Sequence, residues 1–304
     1  MNDTGMERLE SGGRPVFVHT PPDLPAGPAP LVVMLHGCTQ NAADFARGTR
    51  MNRLADQHGF VVAYPEQVRS ANGQGCWNWF EPAHQQRGAG EPEGIAGATR
   101  MILGNGSRWT IDPDRVFVAG MSAGGAMSCV MGVTHPDLFA GVAAHSGLPF
   151  GSAKGVGAAL QAMTRGVGDP ASLESSAHRA MGSLARPVPA LIVHGTADRT
   201  VCPVNGTQAV QQWLATNRLA AGDRPRQADA AHPSSSTRGR SDGGRDYTLS
   251  IWRDDADRMI AGYLEIDGLG HAWSGGDPTG SYTDQRGPDA SEAIVRFFGL
   301  DAQP

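Results

Sequence analysis

The run Val116-Phe117-Val118-Ala119 is continuously apolar and passes without a break into Gly120-Met121-Ser122-Ala123-Gly124, after which small residues continue from Gly125 to Met131. The apolar run reads as a buried strand and the stretch beyond the pentapeptide as a helix. A strand that feeds straight into a helix must reverse sharply, which drives the central residue of the turn into a strained backbone conformation. Glycine is then required on both sides, because a side chain there would strike the neighbouring strand or helix. Ser122 sits at the apex, its hydroxyl held out at the edge of a sheet. The pentapeptide alone recurs by chance in a Gly-rich chain; the strand and helix around it give it weight.

The same alternation continues along the chain. Leu31 to Leu35, Phe60 to Tyr64, Ala140 to Ala144 and Ala190 to His194 are short unbroken apolar runs, as strands covered on both faces should be. Between them Asn41 to His58, Glu93 to Gly104 and Val204 to Asn217 carry helical spacing, and Ala290 to Phe298 reads as an amphipathic terminal helix. Tyr247 to Trp252 and Met259 to Ile266 read as two strands joined by a polar turn. Such a sequence predicts an α/β fold with a mainly parallel central sheet and helices on both faces, in one domain over 1–304. Residues 1–30 supply a short strand at Val16 to Thr20 and a Pro-rich lead-in. Glu66 to Ala89 forms a long loop and Gly151 to Ala185 an insertion. Ala220 to Gly244 holds almost no large apolar residue, so 220–245 is expected to be a surface loop.

Charge and cysteine usage narrow the functional classes. A net charge of -5 offers no long-range attraction to nucleic acid or an anionic membrane. No stretch approaches the roughly 20 apolar residues that span a bilayer. The segment Met1 to Arg14 lacks the basic-then-apolar layout of a signal peptide. The four cysteines form no CxxC pair and no cluster with histidine, so neither a metal site nor a cofactor is expected. Cys38 follows the strand end Leu35-His36-Gly37, and Cys76 precedes Trp77-Asn78-Trp79-Phe80. A disulfide between them and two buried free thiols both fit these positions.

A serine hydroxyl is a poor nucleophile at neutral pH unless a base and an orienting acid accompany it. Asp198, in His194-Gly195-Thr196-Ala197-Asp198, lies just beyond a buried strand, where it could accept the far ring N–H of a histidine or simply cap a turn. His271, in Gly268-Leu269-Gly270-His271-Ala272-Trp273, again follows a strand; any one of the ten histidines chosen blindly has a weak claim. Order selects this one, because Ser122, Asp198, His271 is the chain order of an α/β-hydrolase triad, with each member after a predicted strand. Charge developing on a tetrahedral intermediate also needs preset donors, and losing one costs roughly a hundred- to a thousand-fold in rate. Ala123 N–H is one. The other should come from His36-Gly37-Cys38-Thr39-Gln40, with Cys38 N–H favoured, Thr39 as rival, and His36 a structural residue that holds the turn.

Taken together, HGCTQNAADF, YPEQ, CWNWF, RGAGEP, GMSAGGAM, HGTADRTVCPVNG, GLGHAWSGG and SYTDQRGPDAS resemble the polyhydroxybutyrate depolymerase-type esterases, relatives of feruloyl and acetylxylan esterases. The resemblance runs from about Leu31 to Phe298. It implies an α/β-hydrolase fold and a carboxylic-ester hydrolase with nucleophile Ser122, acid Asp198 and base His271. It implies further that Trp273 lines the acyl or alcohol pocket and that Cys38 pairs with Cys76. Depolymerases of this kind usually add a polymer-binding domain, which is not expected here. The family and the implied disulfide point to an extracellular or periplasmic location, and the absence of a visible signal keeps a cytoplasmic one open.

The expected partner is an ester, either a small molecule or a polyester oligomer, processed through an acyl-enzyme with one histidine-like titration governing activity. Trp77, Trp79 and Phe80, with Trp273 and Tyr282, either wall a substrate cleft or cover the sheet edge. A short-chain hydroxyalkanoate ester is the leading substrate, with feruloyl, acetylxylan or general polyester esters as the alternative. An acyltransferase and a non-catalytic binding protein on the same fold are the remaining classes.

Overall fold

The computed structural model describes residues 5–169, 171–222 and 232–301. In chain order its elements are β1 (Glu7–Ser11), β2 (Arg14–His19), β3 (Ala29–Leu35), α1 (Ala42–Thr49), α2 (Met51–His58), β4 (Val61–Pro65) and α3 (Gly90–Leu103). Then come β5 (Ile111–Met121), α4 (Ala123–Thr134), β6 (Gly141–His145), α5 (Val156–Arg165), α6 (Ala171–Glu174), α7 (Ser176–Met181), β7 (Ala190–Gly195) and α8 (Val204–Ala220). The last are β8 (Ser235–Arg240), β9 (Asp246–Arg253), β10 (Met259–Ile266), the two-residue strands β11 (Trp273–Ser274) and β12 (Thr283–Asp284), and α9 (Ala290–Phe297).

Ten strands form one sheet in the order β1-β2-β4-β3-β5-β6-β7-β10-β9-β8. Its middle, from β4 to β10, is parallel throughout, and antiparallel pairs finish both edges. Strands in such a middle need apolar side chains on both faces, which is why β3, β4, β6 and β7 are buried at every position. Leu31, Val33 and Leu35 enter one core with Ile95 of α3, Met127 of α4 and Trp213 of α8. Val32 and Met34 enter the other with Phe45 of α1, Leu54 of α2 and Ile294 of α9. This is the α/β-hydrolase arrangement, a mainly parallel sheet with helices on both faces.

The order of the strands also sets where a site can form. The chain places β4 on one side of β3 and builds β5, β6, β7 and β10 outward on the other, so its direction reverses between β3 and β5. Open α/β sheets bind ligands in the crevice beyond such a reversal, at the carboxyl ends of the strands. Leu35 lies level with Gly120 in this pair. The turn His36 to Gln40 and the pentapeptide around Ser122 therefore stand side by side.

Three expectations need correction. Asn41 to His58 is two helices, because Arg50 adopts a left-handed conformation (φ 56°) that closes α1 through its N–H to Ala46 and Arg47 carbonyls. Its guanidinium holds that break by bonding Gly275 O and Asp289 Oδ2, the latter at 2.7 Å. Residues 235–240, expected within the surface loop 220–245, form the edge strand β8 against β9, where paired backbone replaces the missing apolar side chains. Residues 223–231 of that loop lie outside the described residues. Finally, 1–30 holds two strands before β3, with β1 folded onto β2 through the left-handed pair Gly12-Gly13.

Candidate active site

Ser122 occupies the turn between β5 and α4 at φ 56° and ψ −120°, far from any region an L-residue adopts freely. Close packing imposes this geometry. A Cβ on Gly120 would lie 2.5 Å from the Gly124 backbone, and one on Gly124 would lie 2.0 Å from Leu35 O. The turn is fastened by Ser122 N–H to His145 O at 2.9 Å, across β5 and β6. Ser122 itself is half-buried, so its hydroxyl is not sealed inside the core.

Asp198 and His271 come from loops after β7 and β10, which are parallel neighbours. Asp198 is 3% exposed; Oδ1 accepts the N–H groups of Thr200 and Val201 at 2.9 Å each, and Oδ2 accepts His271 Nδ1–H at 2.8 Å. Burial alone would raise the pKa of this carboxyl. The hydrogen bond and charge of His271, with Val201 N–H, outweigh burial and hold it below the usual carboxylate range. An ionised Asp198 cannot donate, so the His271 proton facing it resides on Nδ1, and whenever the ring is neutral its lone pair is on Nε2.

His145 draws these two sides together, and nothing in the sequence singled it out. Its carbonyl takes Ser122 N–H, while its ring Nε2 accepts Ser274 N–H at 3.1 Å, three residues beyond His271. The proton is thereby fixed on Nδ1, which donates to Ser146 Oγ at 3.1 Å. Burial, then the nearby His194 and His271, push its pKa down to about 3, so the ring is neutral. His194 is a second residue missed, with Nε2–H on Val201 O at 2.9 Å and 3.6 Å from Asp198 Oδ2.

The turn after β3 is equally constrained. His36 Nε2 accepts Gln67 N–H at 3.1 Å, so its proton sits on Nδ1 and is donated to Gly37 O at 2.8 Å. Gln40 N–H reaches the same carbonyl at 3.4 Å. A trans peptide points its N–H opposite its carbonyl, so pinning Gly37 O also sets the direction of Cys38 N–H. A Cβ on Gly37 would stand 3.5 Å from Ser122 Cβ, which puts this peptide beside the serine. Thr39 N–H, the rival donor, already has an acceptor in Gln74 O at 2.7 Å. Ala123 is the first residue of α4, so its N–H has no acceptor within the helix. Cys38 is bonded to Cys76 in a disulfide.

The three tryptophans expected at a cleft wall lie inside the protein. Trp77 is 0% exposed, packed between His36 and the Arg14 guanidinium. Trp273, at 1%, stacks on His145, meets the edge of Phe45, and donates its Nε1–H to Ser291 Oγ at 3.2 Å. Trp79 is buried edge-on against Phe80. A loop rich in aromatics carries the same sequence whether it faces a ligand or folds over a core, and here it folds over a core. Tyr282 is the aromatic that stays outside, with its hydroxyl 3.0 Å from Thr39 Oγ1.

Among the described residues no group of histidine, cysteine and acidic side chains could hold a metal ion. A separate groove of about 570 Å³ between β9 and α9 is lined by Arg50, Tyr247, Leu249, Asp289 and Phe297. None of Ser122, Asp198 and His271 borders it.

Fold and site thus define an α/β-hydrolase with a strained serine turn and a histidine paired to a buried aspartate. Residues 16–233 match the family model Esterase PHB depolymerase, a span that contains Ser122 and Asp198, and the chain belongs to that family. It is 39% identical over 204 residues to poly(3-hydroxyalkanoate) depolymerase C of Paucimonas lemoignei, covering 66% of this chain and 48% of that protein. The chain thus spans about half the length of that relative. Feruloyl esterase B of Neurospora crassa is 32% identical over 292 residues, covering 94% of this chain and 87% of the relative. The solved acetyl xylan esterase from Aspergillus awamori superposes with a TM-score of 0.75 at 23% identity, over 97% of this chain and 99% of that one.

Proposed function

We propose that the chain is a serine carboxylic-ester hydrolase that forms an acyl-enzyme on short-chain hydroxyalkanoate esters or oligomers. The observation that carries this reading is the 2.8 Å bond from His271 Nδ1 to Asp198, formed at the sheet edge where Ser122 is held at φ 56°. His271 Nε2 takes the Ser122 proton as Oγ attacks the ester carbonyl. The resulting oxyanion rests on the N–H groups of Cys38 and Ala123. The carbon–oxygen bond to the alcohol breaks, and the alcohol leaves with the proton from Nε2. Water then repeats the sequence, giving its proton to Nε2 and freeing the acid as Ser122 regains its own.

The hydroxyalkanoate class rests on the depolymerase relative. A feruloyl or acetylxylan type of ester is the second reading, favoured because the feruloyl esterase match extends further along both chains. The Cys38–Cys76 disulfide fits an oxidising compartment outside the cytoplasm. Hydrolysis of a hydroxybutyrate trimer, methyl ferulate and an acetylated xylan by the native chain and by Ser122→Ala tests the proposal. Preference for the trimer with no turnover by the variant is expected. Preference for ferulate or xylan would move the substrate to the second reading, and an inert native chain would end the hydrolase reading.

A further inference from the structure

Tyr282 combines a costly backbone conformation with an exposed side chain. It lies in the left-handed region at φ 52° although it has a bulky side chain, and 47% of its surface stays exposed. Across from it Thr39 is left-handed too, at φ 65°, and the two hydroxyl oxygens are 3.0 Å apart. Thr39 Oγ1 donates to Cys38 O at 2.6 Å, so in the pair it is Tyr282 that donates to Thr39. The hydroxyl end of the side chain is thereby tied through Thr39 to the turn that carries the proposed oxyanion donor Cys38 N–H, while much of the residue stays exposed.

The loop that carries Tyr282 is fastened on every side. Ser281 N–H donates to Asp44 Oδ1 at 3.0 Å, and Ser281 Oγ donates to Asp44 Oδ2. Gln40 binds both halves of the site, accepting Gly37 N–H through Oε1 at 2.9 Å and donating through Nε2 to Ser281 O at 3.2 Å. Asp277 N–H reaches Gly48 O at 2.9 Å, and Trp273 N–H reaches Tyr282 O at 2.6 Å. A ring held this firmly beside the oxyanion turn loses little freedom when a ligand covers it, which is how a preorganised wall gains affinity.

We infer that Tyr282 is a specificity-determining residue, whose exposed ring contacts the part of the ester that extends beyond the scissile carbonyl. The inference rests on the hydrolase reading above. Its ligand is the extended aliphatic body of an oligomeric hydroxyalkanoate ester, for which an apolar ring face is the fitting surface. The wall that the buried tryptophans do not supply is supplied here.

The test is the ratio of kcat/KM for a hydroxybutyrate trimer to that for ethyl acetate, which has almost nothing beyond the carbonyl. Tyr282→Ala should lower this ratio by about tenfold, mainly through KM for the trimer. Tyr282→Phe, which keeps the ring and loses only the hydroxyl, should stay within about threefold of native. Should Tyr282→Ala fail to fold, Tyr282→Leu carries the same test with a drop of about threefold or more. An equal fall on both esters, seen in kcat alone, would mean that Tyr282 only steadies the oxyanion turn through Thr39 and would overturn the inference, as would an unchanged ratio. Turnover surviving in Ser122→Ala, or a native chain inert to both esters, would instead overturn the hydrolase reading, and the role of Tyr282 with it.

Discussion

The two halves of the candidate site are held by different means. Ser122 is fixed by backbone packing: two glycines, a strand end and a helix start leave no space for another path. Asp198 and His271 are fixed by side-chain and backbone hydrogen bonds between segments 73 residues apart, with His145 bridging the halves. One half resists change sterically, whereas the other depends on where protons sit. Substitutions in the first should therefore damage folding, and substitutions in the second should damage chemistry or acid tolerance.

The largest expected effect lies in the second half. Asp198→Asn preserves shape but presents an amide that can donate to His271, allowing the proton to sit on Nε2, where it blocks the base. A fall in kcat of about ten-thousandfold, on the order of 5 kcal/mol, is expected with an almost unchanged melting temperature. A loss below tenfold would remove Asp198 from the proposed triad. In the first half, Gly124→Ala places a methyl group 2.0 Å from Leu35 O, where both neighbours are backbone and cannot rotate away. Destabilisation of about 3 kcal/mol or more is expected from urea unfolding. Retention of native stability would mean that the turn relaxes, and the contrast between the two halves would dissolve.

This contrast also decides what could be read in the sequence. The serine turn is local, so an apolar run, two glycines and a small-residue stretch announce it within sixteen residues, Val116 to Met131. Asp198 and His271 are legible through chain order and their position after apolar strands. His145 and Gln40 are not, because their partners Ser274 and Ser281 lie 129 and 241 residues away and no spacing encodes them. The break at Arg50 was hidden because an arginine gives no local sign of a left-handed residue. The burial of Trp77 and Trp79 was not legible because it depends on the path of their loop, which Glu91 helps to set. Its fully buried carboxylate accepts Asn78 N–H and Asn78 Nδ2–H at 2.7 Å each, and also takes Gln67 Nε2–H. The loop is therefore drawn inward around one acid that no local pattern marks.

His145 sharpens the comparison at intermediate size, since it belongs to both halves. His145→Phe keeps a ring against Trp273 but leaves Ser274 N–H buried without its acceptor, at a cost of about 1–3 kcal/mol at pH 7. The sign with pH is distinct. In the folded protein this histidine is depressed to about 3, whereas an unfolded chain binds the proton near 6.5. Its neutral state therefore supports folding fully above about pH 6.5, and that support is lost as the pH falls toward about 3. Phenylalanine has no such proton to bind. The stability gap between native and variant should be wide at pH 7 and narrow by pH 4.5, whatever His36 and His194 contribute to both. A gap that widens on acidification would place a charged ring at His145 and undo its assignment as a neutral bridge.

The smallest effect is a slope, and it tests whether the second half titrates as one unit. Asp198 is held below the usual carboxylate range by His271 and Val201 N–H, so its own proton should not be taken up while activity falls on acidification. The acid limb of log kcat/KM should accordingly rise with a slope of about one per pH unit, as loss of a single proton requires. A slope approaching two would mean that the carboxyl titrates together with its partner, and that the hydrogen bonds to Asp198 fail in solution. A slope of one shared by native chain and His145→Phe would separate the bridge from the chemistry. His145 would then act on how firmly the two halves meet, and the Asp198–His271 pair alone would set the charge at which they work.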